Sequence, residues 1–401
     1  MKKKILILFT IIILSALIII FGIKIYSYLR VKYAKVEVVL TDNMNLEFND
    51  DKKVSDYIKS INGKIINDYV IDSTKLGKKK VNFKFINNDN IKLNYSYEVN
   101  VVDTVPPVIW LNDNYYVKKG SEDTLLKDIL CGDNYDEKPK CEIVGDYNLN
   151  QKNDYKLVFK ATDSSKNVTE KNFNLKVYEP VQTKSNNKIE EKNINFSDVV
   201  KNYKNKNTKI GIDISNWQDD IDFKKLKESK VEFVFIRVGY MKGINGERVL
   251  DSKFKQNIEN ANKYGIDVGI YFFSYASNIN EAKKDAKWVL KQIKKYDVKL
   301  PIVFDWEDFS DFNSYNLSFY ELTKMADVFI NEVEKKGYKG MLYGSKNYLE
   351  KIWLKNNYDI WLAHYIDKTD YEGRYKYWQL TNIGKVDGIN GNVDIDVFYE
   401  K

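Results

Sequence analysis

Asp305 and Glu307 stand two positions apart at the end of the apolar run Leu300-Pro301-Ile302-Val303-Phe304. A buried strand has no reason to finish on carboxylates unless its end opens into a site. Side chains alternate faces along a strand, so the two acids point the same way, with Cα atoms roughly 7 Å apart. At the carboxyl end of a barrel strand such a pair suits general acid–base catalysis; a solvated strand end with two surface acids is the plainer alternative. Further acids stand in two other strand-like segments: Asp213 in Ile210–Ser215, and Asp394 and Asp396 in Val393–Phe398. Tyr271, Phe273, Tyr343, Trp361, Tyr365 and Trp378 accompany them. An acidic pocket walled by flat rings fits hydrolysis of a glycosidic bond, because carboxylates move protons and rings stack on pyranose faces. The same acids would also suit Mg²⁺ or Ca²⁺.

The elements that must position these residues are legible from Lys209 onward. Strand-like runs begin at Ile210, Phe233, Val268, Ile302, Gly340, Asp359, Tyr375 and Val393. Helical spacing separates the early ones: Leu322, Met325, Ala326, Phe329, Ile330 and Val333 share one face, as do Ala282, Ala286, Val289, Leu290 and Ile293. Gly265 and Gly337 sit where helix C-caps belong. Strand–helix alternation of this kind predicts an α/β (TIM-like) barrel, irregular at its end because the last three strands leave no room for full helices.

The rest of the chain is built differently. At 401 residues it is too long for one ordinary core. Met1-Lys2-Lys3-Lys4 precedes an apolar stretch over 5–23. That stretch reaches the ~18–20 residues a membrane-crossing helix needs and exceeds the ~7–15 of a cleavable signal core. The expectation is a single-pass signal anchor in the cell membrane over 1–33, with the bulk of the chain on the extracellular, cell-wall side. From 34 to 180 the pattern alternates with period two, as in Leu93, Tyr95, Tyr97, Val99 and Val101 and again in Phe173, Leu175 and Val177. This predicts two all-β antiparallel sandwiches, over 34–103 and 104–180, joined at Val105-Pro106-Pro107. A polar linker, flexible or partly helical, is expected over 181–208 and the barrel over 209–401.

Composition narrows the chemistry further. The only histidine is His364 and the only cysteines are Cys131 and Cys141. A His/Cys zinc site and a Ser/His or Cys/His pair are therefore excluded unless His364 is the base. The two cysteines are compatible with a local disulfide outside the cell or with two reduced thiols. The charge of +7 suits an anionic cell envelope without demanding one. No compact Lys/Arg block suggests a nucleic-acid partner.

Two resemblances follow from motifs. Residues 104–179 resemble the immunoglobulin-like repeats of bacterial surface proteins, through Pro106-Pro107-Val108-Ile109, Asp133-Asn134 and Tyr155 to Asp163, which implies a spacer or weak adhesion module. The region 209–401 resembles glycoside hydrolase family 25, the bacterial and phage lysozymes (N-acetylmuramidases). The residues that carry this likeness are Gly211-Ile212-Asp213-Ile214-Ser215, Phe235-Ile236-Arg237, Gly269-Ile270-Tyr271, Pro301 to Glu307, Leu342-Tyr343-Gly344, Trp378-Gln379 and Gly391 to Phe398. The resemblance implies a muramidase acting on peptidoglycan glycan strands without metal or cofactor. Glu307 would be the general acid, Asp305 would stabilise the cationic intermediate, and Asp213 and Asp394 would complete the catalytic set. Tyr271, Phe273, Tyr343, Trp378, Gln379 and Arg237 would contact the sugar. Asp396 stands where that family more often has Asn, and Phe272 where it often has His. The competing readings are a catalytically silent wall-binding or adhesion protein and a chitinase-like specificity.

Overall fold

The computed structural model describes residues 2–179 and 193–400, with side chains from Thr10 onward. The chain divides into two compact units, Met1–Thr104 and Val105–Lys401.

The first unit opens with a helix over Lys2–Lys32. Its Thr10–Lys32 portion is long and apolar enough to cross a membrane, and none of it is buried against the rest of the protein. A hairpin of Gly77–Asn87 and Lys92–Val102 then dominates a four-stranded sheet. Alternation does what it predicts: Val81, Phe83 and Phe85 face Leu93, Tyr97, Val99 and Val101 in one small core. One pairing departs from the all-antiparallel expectation, since Asn45–Glu47 runs parallel to the end of the second hairpin strand.

The second unit begins with a β-domain of similar plan. Asn153–Thr162 and Val168–Tyr178 form its hairpin, flanked by Lys140–Val144 and, in parallel, by Asn114–Lys118. A short ladder of Val108–Trp110 with Leu130–Gly132 closes the core over Leu157, Phe159, Phe173 and Leu175. Cys131 and Cys141 are disulfide-bonded.

The barrel follows. Its strands are β1 (Thr208–Ile214), β2 (Phe233–Met241), β3 (Asp267–Phe273), β4 (Ile302–Asp305), β5 (Gly340–Ser345), β6 (Asp359–Ala363), β7 (Tyr377–Lys385) and β8 (Val393–Tyr399). β1 to β7 are parallel neighbours in chain order, and β8 lies antiparallel between β7 and β1. Helices α1 (Phe223–Glu228), α2 (Phe254–Lys263), α3 (Ile279–Ile293), α4 (Phe319–Glu334) and α5 (Lys346–Lys351) cover the outside. No helix separates β6, β7 and β8, so the barrel is distorted at that end. Alternate side chains of each strand fill the interior: Phe235 stacks on Trp361 at 4.5 Å, with Tyr377 edge-on to Phe235 at 4.9 Å. Gly269 makes room for this layer, since a Cβ there would lie 2.2 Å from the Phe235 ring.

The expected linker is partly helical where it is described; residues 180–192 lie outside the described residues. Ile194–Asn195 pairs with β7, and a helix over Phe196–Tyr203 packs on the barrel with Phe196 and Val199 buried. Tyr203 meets Trp378 edge-on at 5.8 Å. Two apolar residues three apart are too few to register as a helical stripe, and only the barrel surface makes them core. Phe196→Ala is therefore expected to lower barrel stability by about 3–5 kcal/mol, read from chemical denaturation. A flexible linker at this position would leave the midpoint unchanged.

Candidate active site

The carboxyl ends of the strands open into a cavity of about 220 Å³ lined by acids and rings. β1 supplies Asp213, β2 Arg237, β3 Tyr271 and Phe273, and β5 Tyr343. β4 supplies Asp305, with Glu307 on the loop just beyond it, and β8 supplies Asp394. Tyr365, Trp361 and Gln379 complete the wall. Trp306, between the two acids, turns the other way and is fully buried against Phe309, Phe312 and Tyr315. Asp305 and Glu307 thus reach the same side, although β4 ends at Asp305 and Glu307 lies on the loop.

β8 brings the remaining acids together. Asp394 lies directly opposite Asp213, and Asp396 opposite Gly211 and Gln379. Like charges facing across a ladder repel, so protons and neutral donors must hold this group. Gln379 Nε2 donates to Asp213 at 2.7 Å, while its carbonyl oxygen accepts from the Tyr343 and Tyr365 hydroxyls at 2.9 and 3.0 Å. The Trp361 indole donates to Asp396 at 2.8 Å. On the other wall Arg237 pairs with the buried Asp251 at 2.8 Å, and the Asn216 amide also donates to that carboxylate.

Burial sets the protonation states. Glu307 is pushed up to about 7 by burial, with the Asp394 charge adding to it. Asp305 is held well above the ordinary carboxylate range by burial and by Glu307, against the pull of Arg237. Burial raises Asp213 strongly, reinforced by Asp394 and Asp396 and opposed by Gln379. Asp394 is pushed up to about 6, again chiefly by burial. The group therefore takes up protons near neutrality, as a proton donor to a leaving group requires. Among the described residues, no three carboxylates of this mouth bring one oxygen each within 4.8 Å of one another.

A model of the glycosyl hydrolases family 25 matches residues 212–389. A relative in Escherichia coli (strain K12), the uncharacterized protein YegX, is 31% identical over 193 residues, spanning 47% of this chain and 68% of that protein. The chain belongs to glycosyl hydrolases family 25. It is a glycoside hydrolase by that membership. The autolytic lysozyme of Clostridium acetobutylicum is 28% identical over 193 residues, 47% of this chain and 56% of that one. A solved family 25 glycosyl hydrolase from Bacillus anthracis aligns at 27% identity with a TM-score of 0.42, covering 50% of this chain and 92% of that chain.

Of the residues singled out from the sequence, eleven line the cavity: Asp213, Arg237, Tyr271, Phe273, Asp305, Glu307, Tyr343, Trp361, Tyr365, Gln379 and Asp394. Trp378 does not. It faces outward from β7, buried, with its indole donating to the His364 carbonyl at 2.8 Å, because its neighbours Tyr377 and Gln379 take the inward positions. Phe272 likewise points outward, packed on Trp288 at 5.4 Å. Gln379 orients Asp213 instead of standing alone as a sugar contact. Sequence reasoning missed Asp251 as the partner of Arg237 and the fully buried Asp285, which holds the Ser274 hydroxyl at 2.6 Å and Arg248 at 2.6 Å. The Ser274 amide in turn donates to the Asp305 carbonyl at 2.7 Å, so this ion pair braces the end of β4. A charge on an otherwise apolar helix face, as Asp285 is on α3, was the available signal.

Because the folded state holds the Glu307 proton up to about 7 while the unfolded chain releases it near 4.5, the fold loses stability as pH rises through that window and regains none above it. Glu307→Gln removes this penalty. Its thermal midpoint is expected to exceed that of the parent above pH 7 and to converge with it near pH 4, measured by scanning calorimetry.

Proposed function

We propose that this protein is a membrane-anchored muramidase that cleaves the β-1,4 bond between N-acetylmuramic acid and N-acetylglucosamine in peptidoglycan. The observation that carries the reading is the pair of buried Asp305 and half-buried Glu307 at the mouth of a family 25 barrel, facing a ring-walled cavity. Glu307, neutral near pH 7, protonates the departing glycosidic oxygen. Asp305, whose ionised form Arg237 favours, stabilises the positive charge that develops at the anomeric carbon. Asp213 and Asp394 hold the sugar and, because burial favours their protonated forms, keep the cavity from accumulating negative charge. Tyr271, Phe273, Tyr343 and Arg237 contact the glycan. The apolar Thr10–Lys32 helix serves as a single-pass signal anchor, so the barrel acts on the extracellular side at the wall. The two β-rich domains are immunoglobulin-like surface modules that separate anchor from enzyme along the chain.

Mass spectrometry of muropeptides released from purified peptidoglycan tests this reading. The full chain is expected to release disaccharide-peptides with N-acetylmuramic acid at the new reducing end, and Glu307→Gln to reduce release at least about a thousandfold. Co-sedimentation with the wall and no release by the parent would leave the protein as a binding module.

A further inference from the structure

The loop that carries Glu307 is covered on its far side by the β-domain of residues 105–179, and the cover is specific. Asn313, in the short helical turn Phe309–Ser314, inserts its carboxamide into that domain's backbone. Its oxygen accepts from the Cys131 amide at 3.0 Å and its nitrogen donates to the Ile129 carbonyl at 2.8 Å. The first amides of α4, which have no partner within their own helix, are satisfied in the same way. Phe319 N–H donates to the Asp133 carbonyl at 2.8 Å and Tyr320 N–H to the Asn134 carbonyl at 3.2 Å. Gly132 lies so close that a Cβ would come 2.6 Å from the Phe319 ring and 2.8 Å from that of Phe312.

An aromatic column continues the contact inward. Trp110 of the β-domain meets Tyr348 at 4.7 Å, Tyr348 stacks on Phe309 at 3.8 Å, and Phe309 packs edge-on to Trp306 at 5.0 Å. Trp306 lies between the two catalytic acids in the chain, and Phe309 is two residues beyond Glu307, whose carbonyl accepts from the Phe309 amide. A spacer would need only a tether. Here the domain completes hydrogen bonds that the barrel alone leaves open at the ends of the acid's own loop.

We propose that this β-domain is a working part of the active site, with Asn313 a positioning residue that holds the 306–318 loop so that Glu307 meets the leaving oxygen. The inference rests on Glu307 being the general acid. Its test uses the full chain and two substrates. Peptidoglycan has a poor leaving group and needs the acid; a 2,4-dinitrophenyl β-glycoside of the N-acetylglucosamine–N-acetylmuramic acid disaccharide has a good one and hardly does. Asn313→Ala on the barrel side and Gly132→Ala on the β-domain side are each expected to lower kcat on peptidoglycan about tenfold or more. KM should stay within about twofold, and the dinitrophenyl glycoside should lose less than about twofold. The double variant is expected to lose no more than the worse single one, because both open the same contact.

Partial unfolding would instead lower both substrates equally, and that result, or parental rates in both variants, overturns the proposal. If one variant does not fold by circular dichroism, the other carries the test alone. Glu307→Gln is the control: if it fails to show the same split between substrates, the assignment of the acid falls, independently of the role of the β-domain.

Discussion

The barrel's mouth is organised by one constraint, that carboxylates cannot be taken from water without protons or partners. Asp213, Asp305, Glu307, Asp394 and Asp396 share a region whose cation, Arg237, is already paired with Asp251. The charge problem is met by neutral donors, a glutamine amide and an indole, with two tyrosine hydroxyls holding the glutamine. The remainder is met by keeping protons on the acids. A cavity so built favours the protonated form of Glu307 near neutral pH because ionising it is unfavourable there. Catalytic readiness and local instability have the same cause.

That constraint explains why the surrounding structure is so heavily braced. β4 ends on a carbonyl held by the Ser274 amide, Ser274 is held by Asp285, and Asp285 by Arg248. Trp306 is fixed through its indole to the Ala276 carbonyl at 3.0 Å and through edge contacts to three rings. On the outer side of the same loop the second β-domain adds backbone hydrogen bonds. A buried carboxyl group left free to move would find water and lose its raised pKa; rigid packing on both sides of the loop prevents this.

Much of this was legible from local pattern. Period-two alternation identified the β-domains, the 3.6-residue stripes identified α3 and α4, and the spacing of Asp305 and Glu307 put both on one face. The misses share a physical origin. Trp378 reads as one more ring beside the acids, yet its side of β7 depends on register, which its flanking residues decide. Phe196 and Val199 read as part of a polar stretch, since a short helix shows its apolar face only against a partner. Asp251 and Asp285 become buried ion-pair partners only when the fold closes over them.

What the sequence by itself determined is the set of elements and the chemistry they carry: an apolar amino-terminal helix, two β-rich domains, an α/β barrel and acids at the ends of its strands. Those properties live in spacing and residue type, which are local. Tertiary structure alone decided which acids meet, because β8 must turn back antiparallel between β7 and β1 to set Asp394 against Asp213. It also decided that the second β-domain sits on the acid's loop, through Asn313 and Gly132, residues whose types give no hint of a contact. Such pairings join positions far apart in the chain through backbone groups common to every residue, and only the closed fold selects among them.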